Sequence, residues 1–132
     1  MQNGNIMAEL PNVNKAEIEI FNSIAQSGND RAVFMLNLNK YTPAANYPNG
    51  GLYAEYMAVL ETLLSQVEGK VLWRTSVIGT VVGNQDIDEA LGIWYPSHKS
   101  FMNLMSAPAS SENMRLRNLA VAHADLHRCQ TY

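Results

Sequence analysis

His123, Asp125 and His127 alternate along the chain, so an extended strand would project all three from one face. A carboxylate beside an imidazole fixes its tautomer and raises its basicity, which is how a general base is built. Arg74 lies beside Trp73 in an otherwise apolar run, where a guanidinium requires a carboxylate partner or an anionic ligand. Asn37 and Asn39 share one face of another apolar run, and two amides buried there need hydrogen-bond partners. These groups suit proton transfer: His127 or His123 moves the proton, Asp125 orients it, and Arg74 with Asn37 holds a developing oxyanion. Trp73, Trp94 and Tyr53 are candidates for an aromatic lining, with Asn39 a second polar contact to the ligand. Tyr53 stands out because it follows a Gly-rich loop and falls off the main apolar stripe of its helix.

Each group also has a purely structural reading. The His123–His127 strand can be a solvated edge, and Arg74 can pair with Glu89 or Asp125. The asparagines can bond to loop backbone, and the aromatics can fill the core. The histidine–aspartate trio could converge on a metal, but no further ligand cluster accompanies it, and His98 at a helix start reads as a surface residue. Cys129 has no basic neighbour beyond Arg128 and no helix terminus to activate it. A nucleophile elbow, a phosphate loop and a dinucleotide fingerprint are all absent from the sequence. The expectation is chemistry without metal or cofactor.

Length and composition set the frame. The chain has 132 residues, enough for one domain with its own core. With 16% charged and 47% hydrophobic residues it is not a disordered composition. A net charge of −3 provides no basic footprint for nucleic acid. No run is long enough to span a membrane, and residues 1–7 lack a secretory pattern. A single cysteine fits a reducing compartment, so a cytoplasmic location is expected.

The elements that must position these groups follow from periodicity. Residues 1–12 read as a polar lead-in. Asn14 with Glu17 forms a capping box for a helix burying Val13, Ile20, Phe21 and Ile24, stopped near Gly28. Residues 31–40 read as a strand with Val33, Met35, Asn37 and Asn39 on one face and Phe34, Leu36 and Leu38 on the other. A loop over 41–51 leads into a helix over 52–67 with the stripe Leu52, Tyr56, Leu60, Leu63, Leu64 and Val67. Residues 70–82 read as a strand with Gly79 as a bulge or bend, residues 84–88 as a turn, and 89–95 as the returning strand. Two short helices, the first opened by Ser97, precede a last strand over about 122–131. The division is an N-terminal extension with one helix (1–30) and a βαββαβ domain (31–132).

That order predicts an α+β, ferredoxin-like fold with a four-stranded antiparallel sheet. Helices cover one face of such a sheet, yet the strands are apolar on both. Trp73 and Trp94 alternate with residues such as Ile93, so the second face also needs cover. A second copy packed face to face supplies it, which predicts a homodimer whose interior can hold a ligand.

The segments Met35–Tyr41, Tyr53-Ala54-Glu55-Tyr56, Gly69–Arg74, Trp94-Tyr95-Pro96-Ser97 and Arg117 to Leu126 resemble the DUF1330 family over residues 31–130. The resemblance implies the dimeric α+β barrel superfamily, which includes cofactor-free monooxygenases, cyclases, lactone isomerases and heme-dependent enzymes. It leaves the reaction open. The leading expectation is a small homodimer binding a small, partly apolar organic molecule, with cyclase, isomerase or lyase chemistry by proton transfer. The alternatives are a cofactor-independent monooxygenase and a non-catalytic ligand-binding or structural dimer.

Overall fold

The computed structural model describes residues 12–131; apart from Asn12, the polar lead-in lies outside them. Helix α1 (Lys15–Ala25) begins where the Asn14 side chain accepts a hydrogen bond from the Glu17 amide at 3.2 Å, which satisfies one of the free donors of the first turn. Strand β1 (Val33–Tyr41) leads through a loop to α2 (Gly51–Gln66), then β2 (Lys70–Ser76) and β3 (Glu89–Tyr95). A short α3 (His98–Met102), capped by the Ser97 hydroxyl, precedes α4 (Ser110–Ala120) and β4 (Val121–Cys129). The strands form one sheet in the order β2-β3-β1-β4, with every neighbouring pair antiparallel. This is the ferredoxin-like α+β arrangement that the sequence predicts. Among the described residues, no helix is long and apolar enough to cross a membrane.

Side-chain alternation divides the sheet cleanly. On β1, Val33, Met35, Asn39 and Tyr41 are buried under the helices. On β3, Glu89, Leu91, Ile93 and Tyr95 are buried on the same side. From α2, Tyr53, Tyr56, Met57 and Leu64 join this core. Tyr53, which the sequence reading leaves off the main apolar stripe, is 5% exposed. Helix α1 joins through Phe21, whose ring lies 5.1 Å from His98 and 4.8 Å from Phe101. The Arg128 guanidinium lies 5.5 Å over that ring and reaches the Glu17 carboxylate at 2.7 Å.

The opposite face of the sheet carries Phe34, Leu36 and Leu38 from β1 and Trp94 from β3, with no helix over it among the described residues. Gly92 lies between them because a Cβ there would fall 2.6 Å from both Phe34 and Trp73. A bulge in β2 between Val71 and Trp73 leaves Leu72 and Trp73 52% and 44% exposed, beside Phe34 and Trp94 around one shallow concavity.

The strand expected over 70–82 is shorter than its composition suggests. Ser76 pairs with Glu89, the first residue of β3, so residues beyond it have no strand to pair with. Residues 77–88 instead form a projecting arm that turns back at Gly83, where φ is +106°. Ile78, Val81 and Val82 on this arm are 99%, 98% and 90% exposed. The base of the arm is held by Lys40, which pairs with Asp86 and Asp88, and by Gln85, whose amide donates to Asp125 at 3.2 Å.

Candidate ligand-binding cavity

A cavity of about 110 Å³ lies between the sheet and the helices. Its floor is Asn37 and Asn39 from β1, Ile93 and Tyr95 from β3, and Ala124 and Leu126 from β4. Its roof is Tyr56, Leu60 and Leu63 from α2, Phe101, Leu104 and Met105, and Ser110, Asn113, Met114 and Arg117 from α4. Most of this wall is apolar, and two of its polar atoms stand out for being unused. Asn37 Oδ1 and Asn113 Nδ2 are sealed from solvent and have no hydrogen-bond partner among the described residues. Leaving such an atom unpaired costs about 1–3 kcal/mol, so two of them facing one cavity mark a place where a ligand's polar groups can bond.

The fold puts both amides there for simple reasons. Asn37 sits opposite Leu91 of β3 and Leu126 of β4, in phase with Met35 and Asn39 on the helix-covered face. Asn113 lies on the buried stripe of α4 with Ser110, Leu116 and Ala120, and Arg117 follows one turn later. Burial pushes the Tyr56 phenol upward, while the nearby Arg117 charge opposes that shift. Among the described residues, no histidine or carboxylate lines this cavity.

A second chamber of about 210 Å³ opens between α1 and β4, lined by Glu17, Ile18, Phe21, Met35, Arg128 and their neighbours. Phe101, Arg117, Ala124 and Leu126 line both chambers, so the two spaces adjoin.

At one end of the cleft, Asn39 links the cavity to a buried acid. Its amide donates to the Tyr41 hydroxyl at 3.1 Å, and that hydroxyl donates to Glu89 Oε1 at 2.6 Å. Tyr53 donates to the same carboxylate at 2.9 and 3.0 Å, and Arg74 Nε lies 3.7 Å from Oε2. The carboxylate side chain is 3% exposed. Burial, together with the adjacent Glu89, pushes the Tyr41 and Tyr53 phenols far above the ordinary tyrosine value.

The residues expected to act together are divided between the two faces. Asn37 and Asn39 line the cavity, whereas Tyr53 and Arg74 converge on Glu89 beyond it. His123, Asp125 and His127 pair opposite Lys40, Leu38 and Leu36, which places them on the open face, with Trp73 and Trp94. His123 Nε2 is 3.3 Å from Asp125 Oδ1, both half-exposed. A ligand confined to the first cavity therefore touches Asn37 but not the histidine pair, whereas Asp125 and His127 border the second chamber. Among the described residues, no group of three or more His, Cys, Asp and Glu is placed to hold a metal.

His98 departs from its expected surface position: it is 2% exposed. Its Nδ1 lies 3.1 Å from Asp30 Oδ1 and 3.0 Å from the Arg31 carbonyl, both acceptors, so Nδ1 carries the proton. Asp30 also accepts from the His98 and Lys99 amides. Despite burial, these donors hold its carboxyl below the usual range. This is a helix cap that ties α3 to the chain entering β1.

Sequence reasoning missed Asn113, Arg117 and Glu89 as site residues. The signal for the first two was their i, i+4 spacing on the face that also carries Ser110, Leu116 and Ala120, a polar interruption of a buried stripe. Glu89 entered only as a partner for Arg74; a carboxylate opening an apolar strand was the available clue.

Comparison with solved structures supports the fold. The chain is similar to the RPA0582 protein of unknown function from Rhodopseudomonas palustris, with 25% identity, TM-score 0.72 and coverage of 92% of this chain and 95% of that one. The methylated form of RPA0582 matches equally, covering 93% of that chain. At3g17210 from Arabidopsis thaliana is similar at 10% identity and TM-score 0.59, over 76% of this chain and 95% of that one. No family model and no curated protein matches the sequence.

Proposed function

We propose that this protein binds a small, partly apolar organic molecule in the cavity between its sheet and its helices. The observation that carries the reading is the pair of buried amide atoms, Asn37 Oδ1 and Asn113 Nδ2, without partners among the described residues, in a largely apolar wall. Binding sites retain unpaired polar atoms at the expense of stability, because the ligand completes them. The Asn113→Leu variant is therefore expected to be more stable than the wild type by about 1 kcal/mol in urea denaturation and to lose ligand binding. A less stable variant would assign Asn113 a structural role and remove this support.

The lining suits holding and polarising a carbonyl or hydroxyl. Among the described residues it contains none suited to general-base work at neutral pH, so the cyclase, isomerase or lyase chemistry expected from His127, His123, Asp125, Arg74 and Asn37 acting on one ligand has no support in this cavity. A second reading has one favourable observation, the His123–Asp125 contact at 3.3 Å. It places proton transfer, or the monooxygenase alternative, on the open face beside Trp73 and Trp94. A turnover abolished by His123→Ala and indifferent to Asn113→Leu would move the reaction there.

We also propose that the open face is covered by a second copy, as in the dimeric α+β barrels that the DUF1330-like segments resemble, with residues 1–30 an addition to the 31–132 domain. A reducing, cytoplasmic setting accords with the lone Cys129. The uncovered Phe34, Leu72, Trp73 and Trp94 support this reading. So does the arm, whose base is bent over that face by Lys40 and Gln85 and whose apolar Ile78, Val81 and Val82 have no cover of their own. Burying one such side chain contributes about 1.5–3 kcal/mol, so the I78S/V81S/V82S variant is expected to dissociate at least about a hundredfold more readily in sedimentation analysis. Wild-type protein that sediments as a monomer would end the dimer proposal.

A further inference from the structure

Arg117 is in an unusual position for an arginine in the last turn of a helix. There a guanidinium ordinarily turns into water and complements the helix dipole, yet this one lines both chambers at their junction. Arg74 is neutralised by Glu89 and Arg128 by Glu17, and on the exposed side of α4 Arg115 pairs with Glu112. Arg117 has no carboxylate within 4 Å among the described residues. The carboxylates closest to the cleft are already committed, Glu89 to Tyr41, Tyr53 and Arg74, Glu17 to Arg128, and Asp125 to His123 and Gln85.

We infer that the ligand is an organic carboxylate, its anionic end held by Arg117 where the chambers meet. The inference rests on the cavity reading above and adds the chemical class. A guanidinium presents a planar fork of donors matched to a carboxylate. The unpartnered Asn37 and Asn113 atoms supply an acceptor and a donor for a hydroxyl or carbonyl elsewhere on the same molecule. Phe101 and Leu126, which border both chambers, flank the apolar body. Size narrows the class further. An apolar cavity of about 150 Å³ takes benzene, so adjoining chambers of about 110 and 210 Å³ suit a single ring with a short side chain.

The test is calorimetric titration of the intact protein with phenylacetate and with phenylacetamide, its uncharged isostere. Phenylacetate is expected to bind the wild type more tightly than the amide does. R117Q is expected to weaken phenylacetate by about ten- to a hundredfold, the range for hydrogen bonds to a charged group, and R117K by less. Amide binding is expected to be unchanged in R117Q, which also shows that this variant remains folded. Equal binding of acid and amide, or phenylacetate binding indifferent to R117Q, would overturn the carboxylate inference. In that event amide binding lost in Asn113→Leu would leave the cavity reading intact. If neither probe binds the wild type, the inference and this support for the cavity reading fall together.

Discussion

Above pH 10 the protein is expected to lose stability steeply, driven by phenols that cannot ionise while it is folded. Burial raises Tyr41, Tyr53, Tyr56 and Tyr95 above the ordinary tyrosine value, with Glu89 adding to the effect at Tyr41 and Tyr53. The unfolded chain ionises these groups near pH 10. A raised folded-state value stabilises fully below that pH and is lost as pH rises through it, because the native state then binds more protons than the unfolded one. Each such phenol contributes a slope of about 1.4 kcal/mol per pH unit, so four approach ~5.5 kcal/mol per unit. A small domain has roughly 5–15 kcal/mol in total, which places alkaline unfolding within one to three units above pH 10. Urea denaturation at a series of pH values, followed alongside tyrosinate absorbance, checks this. Ionisation of more than two of the six tyrosines near pH 10 with the fold intact would contradict it.

Replacing Glu89 by Leu is expected to destabilise the protein by about 3 kcal/mol, because two buried hydroxyls lose their acceptor at about 1–3 kcal/mol each. Tyr41 and Tyr53 are 4% and 5% exposed, so water cannot take over from the carboxylate. Arg74, with its side chain 46% exposed, is solvated and adds little. The distinguishing feature is coupling. Once Glu89 is gone, Tyr53→Phe removes an orphaned hydroxyl instead of a satisfied one. The E89L/Y53F variant is therefore expected to be less damaged than the sum of the single variants by about 1–2 kcal/mol. Strict additivity, or a loss below about 0.5 kcal/mol for Glu89→Leu, would show that the cluster is not a bonded unit.

The sequence carried the fold in its periodicities. Val33, Met35, Asn37 and Asn39 alternate with Phe34, Leu36 and Leu38, and the structure separates them onto the two faces in that phase. Asn14 and Glu17 set the start of α1 as their spacing predicts. The arm was not legible, because Val77 to Val82 has a strand's composition and only the position of its partner, Glu89, ends the pairing at Ser76. The chemistry was less legible still. His123, Asp125 and His127 do share a face, but alternation alone does not say which one, and it is the face away from Asn37. Asn113 and Arg117 meet Asn37 only through the docking of α4 on the sheet, a contact between residues nearly eighty positions apart. His98 looked like a surface residue because its partners, Phe21 and Asp30, come from the far end of the chain.

Whether the cavity between sheet and helices holds a small organic molecule is decided by a crystal structure of the protein purified from its native host, inspected for density between Asn37 and Asn113. The expected result is a bound molecule whose polar atoms accept from Asn113 Nδ2 and donate to Asn37 Oδ1. A cavity occupied by the protein's own side chains, with both amides bonded to neighbouring residues, would contradict the proposed binding.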